Sequence, residues 1–168
     1  MSAWRRTAPD LDPEAFLEAM SRFPSGVTIV TTRDAGGEAY GFTASSFCSV
    51  SRDPALVLVC LARNASCYPV FATSSRIAVS ILPESRVDLA LKFASKRADK
   101  FVGGGFTLTP LDSLVVADAL ASVECVVDSR HEAGDHMILV GRVERVSTEG
   151  RGRPAVYLER GFTGVSPE

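Results

Sequence analysis

Cysteine is scarce in this chain, and Cys48, Cys60, Cys67 and Cys125 never fall into a Cys-x-x-Cys spacing. Histidine is scarcer: His131 and His136 stand five positions apart with Glu132 and Asp135 beside them, which matches no zinc-ligand spacing, so no metal site is expected. Long apolar runs are missing too. The longest, Ala55 to Ala62, falls far short of the roughly 20 residues that cross a bilayer as a helix, so no membrane association is expected. The formal net charge is only −2 and both signs are scattered, which leaves no basic stripe to follow a nucleic-acid backbone. No Gly-x-Ser-x-Gly occurs, so nucleophile-elbow hydrolysis has no support. Arg5 and Arg6 are followed by a Pro-rich, acidic stretch instead of the apolar region of an export signal. The expected location is the cytoplasm, where the cysteines stay reduced and act as small buried hydrophobes.

What is present is enough apolar material for one well-filled core. At 168 residues and 46% apolar content, residues 1–168 are expected to form a single domain. Asp12-Pro13-Glu14 is a helix-start signature, and Phe16, Leu17 and Met20 fall on one face of a short amphipathic helix that runs to about Arg22. From Val27 the texture becomes β-branched: Val27 to Thr32 and Ala39 to Ser46 read as a hairpin turning at Gly36-Gly37. Ala55 to Ala62 reads as a strand buried on both faces at the centre of the sheet.

Later strands are expected at Arg76 to Ile81, Leu120 to Asp128, Met137 to Ser147 and Pro154 to Leu158, with a turn over residues 149–153. In the second of these, Ala121, Val123, Cys125 and Val127 make a dry face and Ser122, Glu124, Val126 and Asp128 a wet one. Gly141 is a bulge or bend. Two further short helices are expected, one after Ser66 and one from Ser85, where Ser85 and Asp88 form a capping-box-like start and Val87, Ala90, Leu91 and Ala94 the inner face. Many short strands without βαβ alternation point to a mainly antiparallel barrel with a few peripheral helices.

Candidate chemistry lies in loops of small hydroxyl residues. Gly41-Phe42-Thr43-Ala44-Ser45-Ser46-Phe47 would let a planar ligand approach the backbone, although simple alternation on a half-wet strand accounts for the same residues. Ser66, with Asn64 nearby, could hold a phosphate or could merely cap a helix. Asp99-Lys100-Phe101 places a cation beside an aromatic ring ahead of Gly103-Gly104-Gly105, and a solvated loop is the plain alternative. His136 in Gly134-Asp135-His136 could hydrogen-bond a ligand or simply lie at the surface.

Taken together and in order, these segments resemble the flavin reductase-like family with the FMN-binding split-barrel fold, the reductase components of two-component flavin monooxygenases. The resemblance rests on Phe23-Pro24-Ser25-Gly26-Val27-Thr28-Ile29-Val30-Thr31-Thr32, the 41–47 segment, Val50-Ser51-Arg52-Asp53-Pro54, Asp99-Lys100-Phe101, Gly134-Asp135-His136 and Pro154-Ala155-Val156-Tyr157. It runs from about residue 16 to residue 162. Ala55, Phe42 and Ala155-Val156 depart from the usual pattern without removing a polar group. The resemblance implies an antiparallel Greek-key split β-barrel and a homodimer. It also implies flavin contacts from Thr43, Ala44, Ser45, Ser46, Cys60, Leu61, Ala62, Asn64, Ser66, Lys100 and Phe101, with His136 on the nicotinamide side.

The activity so implied is reduction of FMN or FAD by NADH or NADPH, with reduced flavin passed to a separate monooxygenase. Such a reaction needs no acid–base dyad, because hydride passes between the cofactors and the protein supplies geometry, so no catalytic residue is named. Two rivals remain: a split-barrel oxidase that retains FMN and acts on an organic substrate, and a flavin carrier without enzymatic activity.

Overall fold

The computed structural model describes residues 11–148 and 150–165, and the Arg5-Arg6 pair and Glu149 lie outside them. The chain opens with helix α1 (Pro13–Ser21), whose N-cap Asp12 accepts a hydrogen bond from the Glu14 N–H. The expected helix is present, but its apolar face is not packed. Phe16, Leu17 and Met20 are each about half exposed and α1 buries no residue; its ties to the body include the Ser21 carbonyl, which accepts from the Glu159 N–H, and an ion pair of Glu14 with Arg160.

Seven strands form one antiparallel sheet. In chain order they are β2 (Thr28–Arg33), β3 (Ala39–Ala44), β4 (Cys48–Arg52), β5 (Ala55–Ala62), β6 (Arg76–Ile81), β9 (Ala121–Ala133) and β10 (His136–Ser147), and in space they run β3-β2-β6-β9-β10-β5-β4. The two ends of this sheet share a core. Phe42 and Ala44 of β3 pack with Val57, Val59 and Leu61 of β5, so the sheet has rolled on itself, while among the described residues no backbone ladder joins β3 to β4 or β5. This is the split of a split barrel, and the mainly β, antiparallel expectation holds.

Short strands complete it, of which only the one expected at Pro154 to Leu158 had been read from the sequence. β1 (Ser25–Gly26), β11 (Ala155–Leu158) and β12 (Gly161–Gly164) make a three-stranded sheet, and β7 (Phe106–Leu108) pairs with β8 (Leu114–Val116). On β2, Val30 enters the barrel core, whereas Ile29 joins Val27, Leu82, Phe93, Val116 and Ala155 in a second core outside the barrel wall.

Three expectations need correcting. β5 is not central, since it lies next to the edge strand β4 and β9 holds the middle. Its burial alternates, with Val57, Val59 and Leu61 inside and the residues between them only half-buried or exposed, so the unbroken apolar run reflects a second, partly covered face. The supposed wet face of β9 is dry at its start, because the β7–β8 hairpin covers Ser122 and Glu124. Glu124 is 2% exposed, accepts a hydrogen bond from the Thr109 hydroxyl at 2.6 Å and pairs with Arg145 at 3.7 Å. A charged side chain is tolerated there because its oxygens have partners.

The third correction concerns the later helices. No capping box forms at Ser85; a 3₁₀ turn over Glu84–Arg86 leads into α3 (Val87–Ala94) without a side-chain cap. Its buried residues are Leu89, Ala90 and Phe93, and Leu91 is exposed. The helix after Ser66 is the single turn α2 (Tyr68–Phe71). Gly141 does mark a register shift between β9 and β10, and a Cβ there would lie 2.8 Å from the Cys125 Cβ. Of the cysteines, Cys67 and Cys125 are buried, Cys60 is half-buried and Cys48 is exposed.

Candidate functional site

A cleft of about 360 Å³ opens where the rolled sheet fails to close, between the C-terminal ends of β3 and β5 and the last turn of α3. Residues 42–46 leaving β3 form one wall, and residues 60–62 and 64–67 leaving β5 form the other. Phe93, Ala94, Ser95, Lys96 and Lys100 close one end. His136 joins because the β5–β10 register sets it opposite Ala62, just after a two-residue turn in which Gly134 takes φ 61°.

Eleven of the twelve expected site residues therefore share one cavity: Thr43, Ala44, Ser45, Ser46, Cys60, Leu61, Ala62, Asn64, Ser66, Lys100 and His136. Phe101 is not among them. Its ring meets Phe93 edge-on at 5.0 Å and Phe106 at 4.9 Å in the second core, so it supports the Lys100 loop from behind. Phe42, Ala65, Cys67, Phe93, Ala94, Ser95 and Lys96 also line the cleft without having been expected there. Of these, Phe42 lay inside the 41–47 segment already singled out, and Lys96 carried a signal in the basic Lys96-Arg97 pair ahead of Lys100.

The hydroxyl groups divide into structural and unengaged ones. Thr43 donates to the Ala90 carbonyl at 2.6 Å and so ties β3 to α3. Ser46 accepts from the Cys60 N–H at 2.9 Å. By contrast, the side chains of Ser45, Asn64 and Ser66 have no partner among the described residues, and the same holds for the backbone N–H groups of Ser45 and Ser46 beyond the last β2–β3 pair. Ser66 does not cap α2, whose N-cap is Cys67 without a side-chain bond. The capping explanation for Ser66 is thereby removed.

Lys100 sets the electrostatics. Only 8% exposed, its ammonium donates to the Phe93 carbonyl at 2.9 Å, at the C-terminal end of α3, and to the Gly41 carbonyl at 3.4 Å. A helix C-terminus suits a cation. No carboxylate pairs with it among the described residues, and burial lowers its pKa from the ordinary lysine value. Burial likewise pushes the Cys67 thiol up, with Lys100 acting in the opposite sense, which keeps that sulfur a neutral thiol. Among the described residues the cleft lining contains no Asp or Glu; Asp135, beside His136 in the chain, points its oxygen at His136 Nδ1 at 2.7 Å. That hydrogen bond and the charge of His136 lower the Asp135 pKa.

The arrangement suits a flat, largely apolar ring that meets backbone donors at one edge and carries an anionic tail. Apolar and small residues make the walls, unengaged N–H, hydroxyl and amide groups stand at the rim, and an ammonium without a counter-charge among the described residues lies at the end. No group of three or more His, Cys, Asp or Glu residues able to hold a metal ion occurs among the described residues. No helix among them is long and apolar enough to cross a membrane.

Comparison with known proteins gives concordant matches. A family model described as a flavin reductase like domain matches residues 20–166. The actinorhodin polyketide dimerase of Streptomyces coelicolor is 52% identical over 148 residues, covering 88% of this chain and 84% of that protein. The reductase subunit HsaB of a Rhodococcus jostii flavin-dependent monooxygenase is 34% identical, covering 96% and 82%. Against two Rhizobium meliloti relatives, each 40% identical, the chain spans only 60% and 46% of their length. Among solved structures, a Streptomyces globisporus NADH:FAD oxidoreductase in complex with NAD and FAD fragments superposes with a TM-score of 0.86 at 30% identity, covering 96% of this chain and 99% of that one.

Proposed function

The chain belongs to the family of flavin reductase-like domains, and from that premise we propose that it is an NAD(P)H:flavin oxidoreductase that releases reduced flavin to a separate monooxygenase. The observation that carries this reading is Lys100: a buried ammonium without a carboxylate partner among the described residues, at the end of a cleft walled by small residues, asks for a ligand with a flat body and an anionic tail. FMN has that form, and FAD shares it.

In this reading the Ser45 and Ser46 N–H groups donate to the polar edge of the ring and favour the negative charge that reduction places there. Ala44, Leu61 and Ala62 give it apolar walls, and Thr43 and Ser46 hold those walls in place through their own hydrogen bonds. Asn64, Ser66 and Lys100 take the hydroxylated chain and the phosphate. His136, held by Asp135, orients the nicotinamide at the open side. The flavin supplies the redox chemistry when bound, accepting hydride from the reduced nicotinamide. The protein contributes alignment and dry walls, which suits a cleft without an acid–base pair.

A separate monooxygenase as recipient follows the relatives named as monooxygenase reductase subunits. A cytoplasmic homodimer belongs to the same reading, and a second chain would give Phe16, Leu17 and Met20 of α1 the cover they lack.

One specific observation favours a second reading, a flavoenzyme that acts on an organic substrate directly. A relative 52% identical is named a polyketide dimerase, and a chamber lined by Val27, Ala94, Tyr157 and Phe162 adjoins the cleft at Thr43 and Ser45. Nicotinamide oxidation by the purified protein, followed with FMN and then FAD from below to well above the protein concentration, separates the two. Many turnovers that saturate only with flavin in excess support the reductase. No nicotinamide oxidation with either flavin overturns it.

A further inference from the structure

The cleft does not end at Lys100. Ser66, Cys67, Lys96 and Lys100 form a waist shared with a second chamber of about 220 Å³, whose other walls include Glu38, Tyr40, Arg97 and Phe101. Strand β3 floors both. Going back along it from Thr43 in the cleft, Gly41 presents its carbonyl to Lys100 at the waist, and Tyr40 and Glu38 lie beyond. At roughly 3.3 Å per residue, Glu38 lies about 10 Å past the waist.

Chemistry changes along this path in one direction. Cations gather near the waist, where Lys96 has no ion pair or hydrogen bond among the described residues, while the Arg97 charge is satisfied by a two-pronged pair with Asp99 at 2.9 Å. The far part offers a half-buried aromatic ring, Tyr40, and a carboxylate, Glu38, which forms no ion pair among the described residues. A second phosphate suits the first part; a purine and the hydroxyls of a ribose suit the second, since rings stack on aromatic faces and carboxylates accept from sugar hydroxyls.

Resting on the flavin reading above, we propose that this second chamber takes the adenosine half of a flavin dinucleotide, so that the protein selects FAD over FMN. Tyr40 and Glu38 are the specificity-determining residues. A mononucleotide stops at the waist and does not reach them.

The test measures dissociation constants for FAD and FMN by fluorescence titration of the full chain, with Tyr40→Leu and Glu38→Ala as variants; the leucine keeps the packing against the barrel core. FAD is expected to bind about tenfold tighter than FMN, the equivalent of roughly 1.4 kcal/mol, and each variant to lose much of that difference while its FMN constant stays put. Equal affinity for the two flavins overturns the inference, as do variants that weaken both flavins alike. Variants that spare FAD affinity and instead raise the KM for NADH overturn it too, by giving the chamber to the nicotinamide nucleotide. Binding of FMN alone defeats this inference and leaves the reductase reading intact, whereas binding of neither flavin defeats both.

Discussion

The Ser46 hydroxyl is bonded to both backbone groups of Cys60, accepting from its N–H at 2.9 Å and donating to its carbonyl at 3.4 Å. Strands β3 and β5 share no ladder, so this one side chain substitutes for the missing backbone pairing where the barrel is split. Ser46→Ala leaves the Cys60 N–H without that acceptor and is expected to lower the unfolding free energy by about 1–2 kcal/mol. Denaturant titration with and without flavin reads this out.

Lys100→Met keeps the buried stem and removes the charge. Flavin affinity should fall by about tenfold or more, as for loss of a charge-assisted hydrogen bond, with turnover at saturating flavin close to wild type, because the contact is made equally in ground and transition states. An unchanged flavin dissociation constant would remove Lys100 from the site.

The same residue predicts a pH dependence. Burial lowers the Lys100 pKa, so as pH rises its charge is lost before that of an ordinary lysine, at about 10.4. Flavin affinity therefore declines with rising pH below that value, and Lys100→Met abolishes the decline. For stability the sign is opposite. Between the folded and unfolded pKa values the unfolded chain holds more protons, so the cost of burying this cation, in force at lower pH, is relieved as pH climbs.

His136→Ala is expected to raise the KM for NADH about five- to tenfold and leave that for flavin nearly unchanged, on the scale of one lost hydrogen bond. Steady-state kinetics with each substrate varied in turn decides. Movement of the flavin constant alone would place the histidine on the other ligand.

Glu124 gives a control remote from the cleft. Glu124→Ala leaves the Thr109 hydroxyl under the β7–β8 hairpin without its acceptor and removes the partner of the solvent-facing Arg145, with an expected loss of about 1–2 kcal/mol in unfolding free energy. Flavin affinity below the melting temperature should not change.

Most of the barrel could be read from the residues because its long strands announce themselves. The β2–β3 hairpin, β6 and β10 carry β-branched runs bounded by glycine or proline, and the cleft residues were found because the resemblance ties them together across the chain. What escaped was set by tertiary cover. Glu124 alternates like a solvent-facing residue and is dry only because a hairpin contributed by residues 106–116 lies over it. Phe16, Leu17 and Met20 have the spacing of a packed helix face and no surface to meet. At Ser85 the capping pattern lost to the 3₁₀ turn that brings Leu89, Ala90 and Phe93, not Leu91, onto the second core. Phe101 sits beside Lys100 in sequence, yet the two side chains take different neighbours, an aromatic cluster for one and two carbonyls for the other.

The cleft is assembled from four stretches, residues 42–46, 60–67, 93–100 and His136, which meet only once the sheet has rolled. An opened chain therefore has no flavin site, and ligand and fold are linked by mass action. Flavin at a hundred times its dissociation constant adds about 2.7 kcal/mol to the closed state. A protease that cuts only opened molecules should slow in proportion, which makes the survival of this protein a gauge of the free flavin around it.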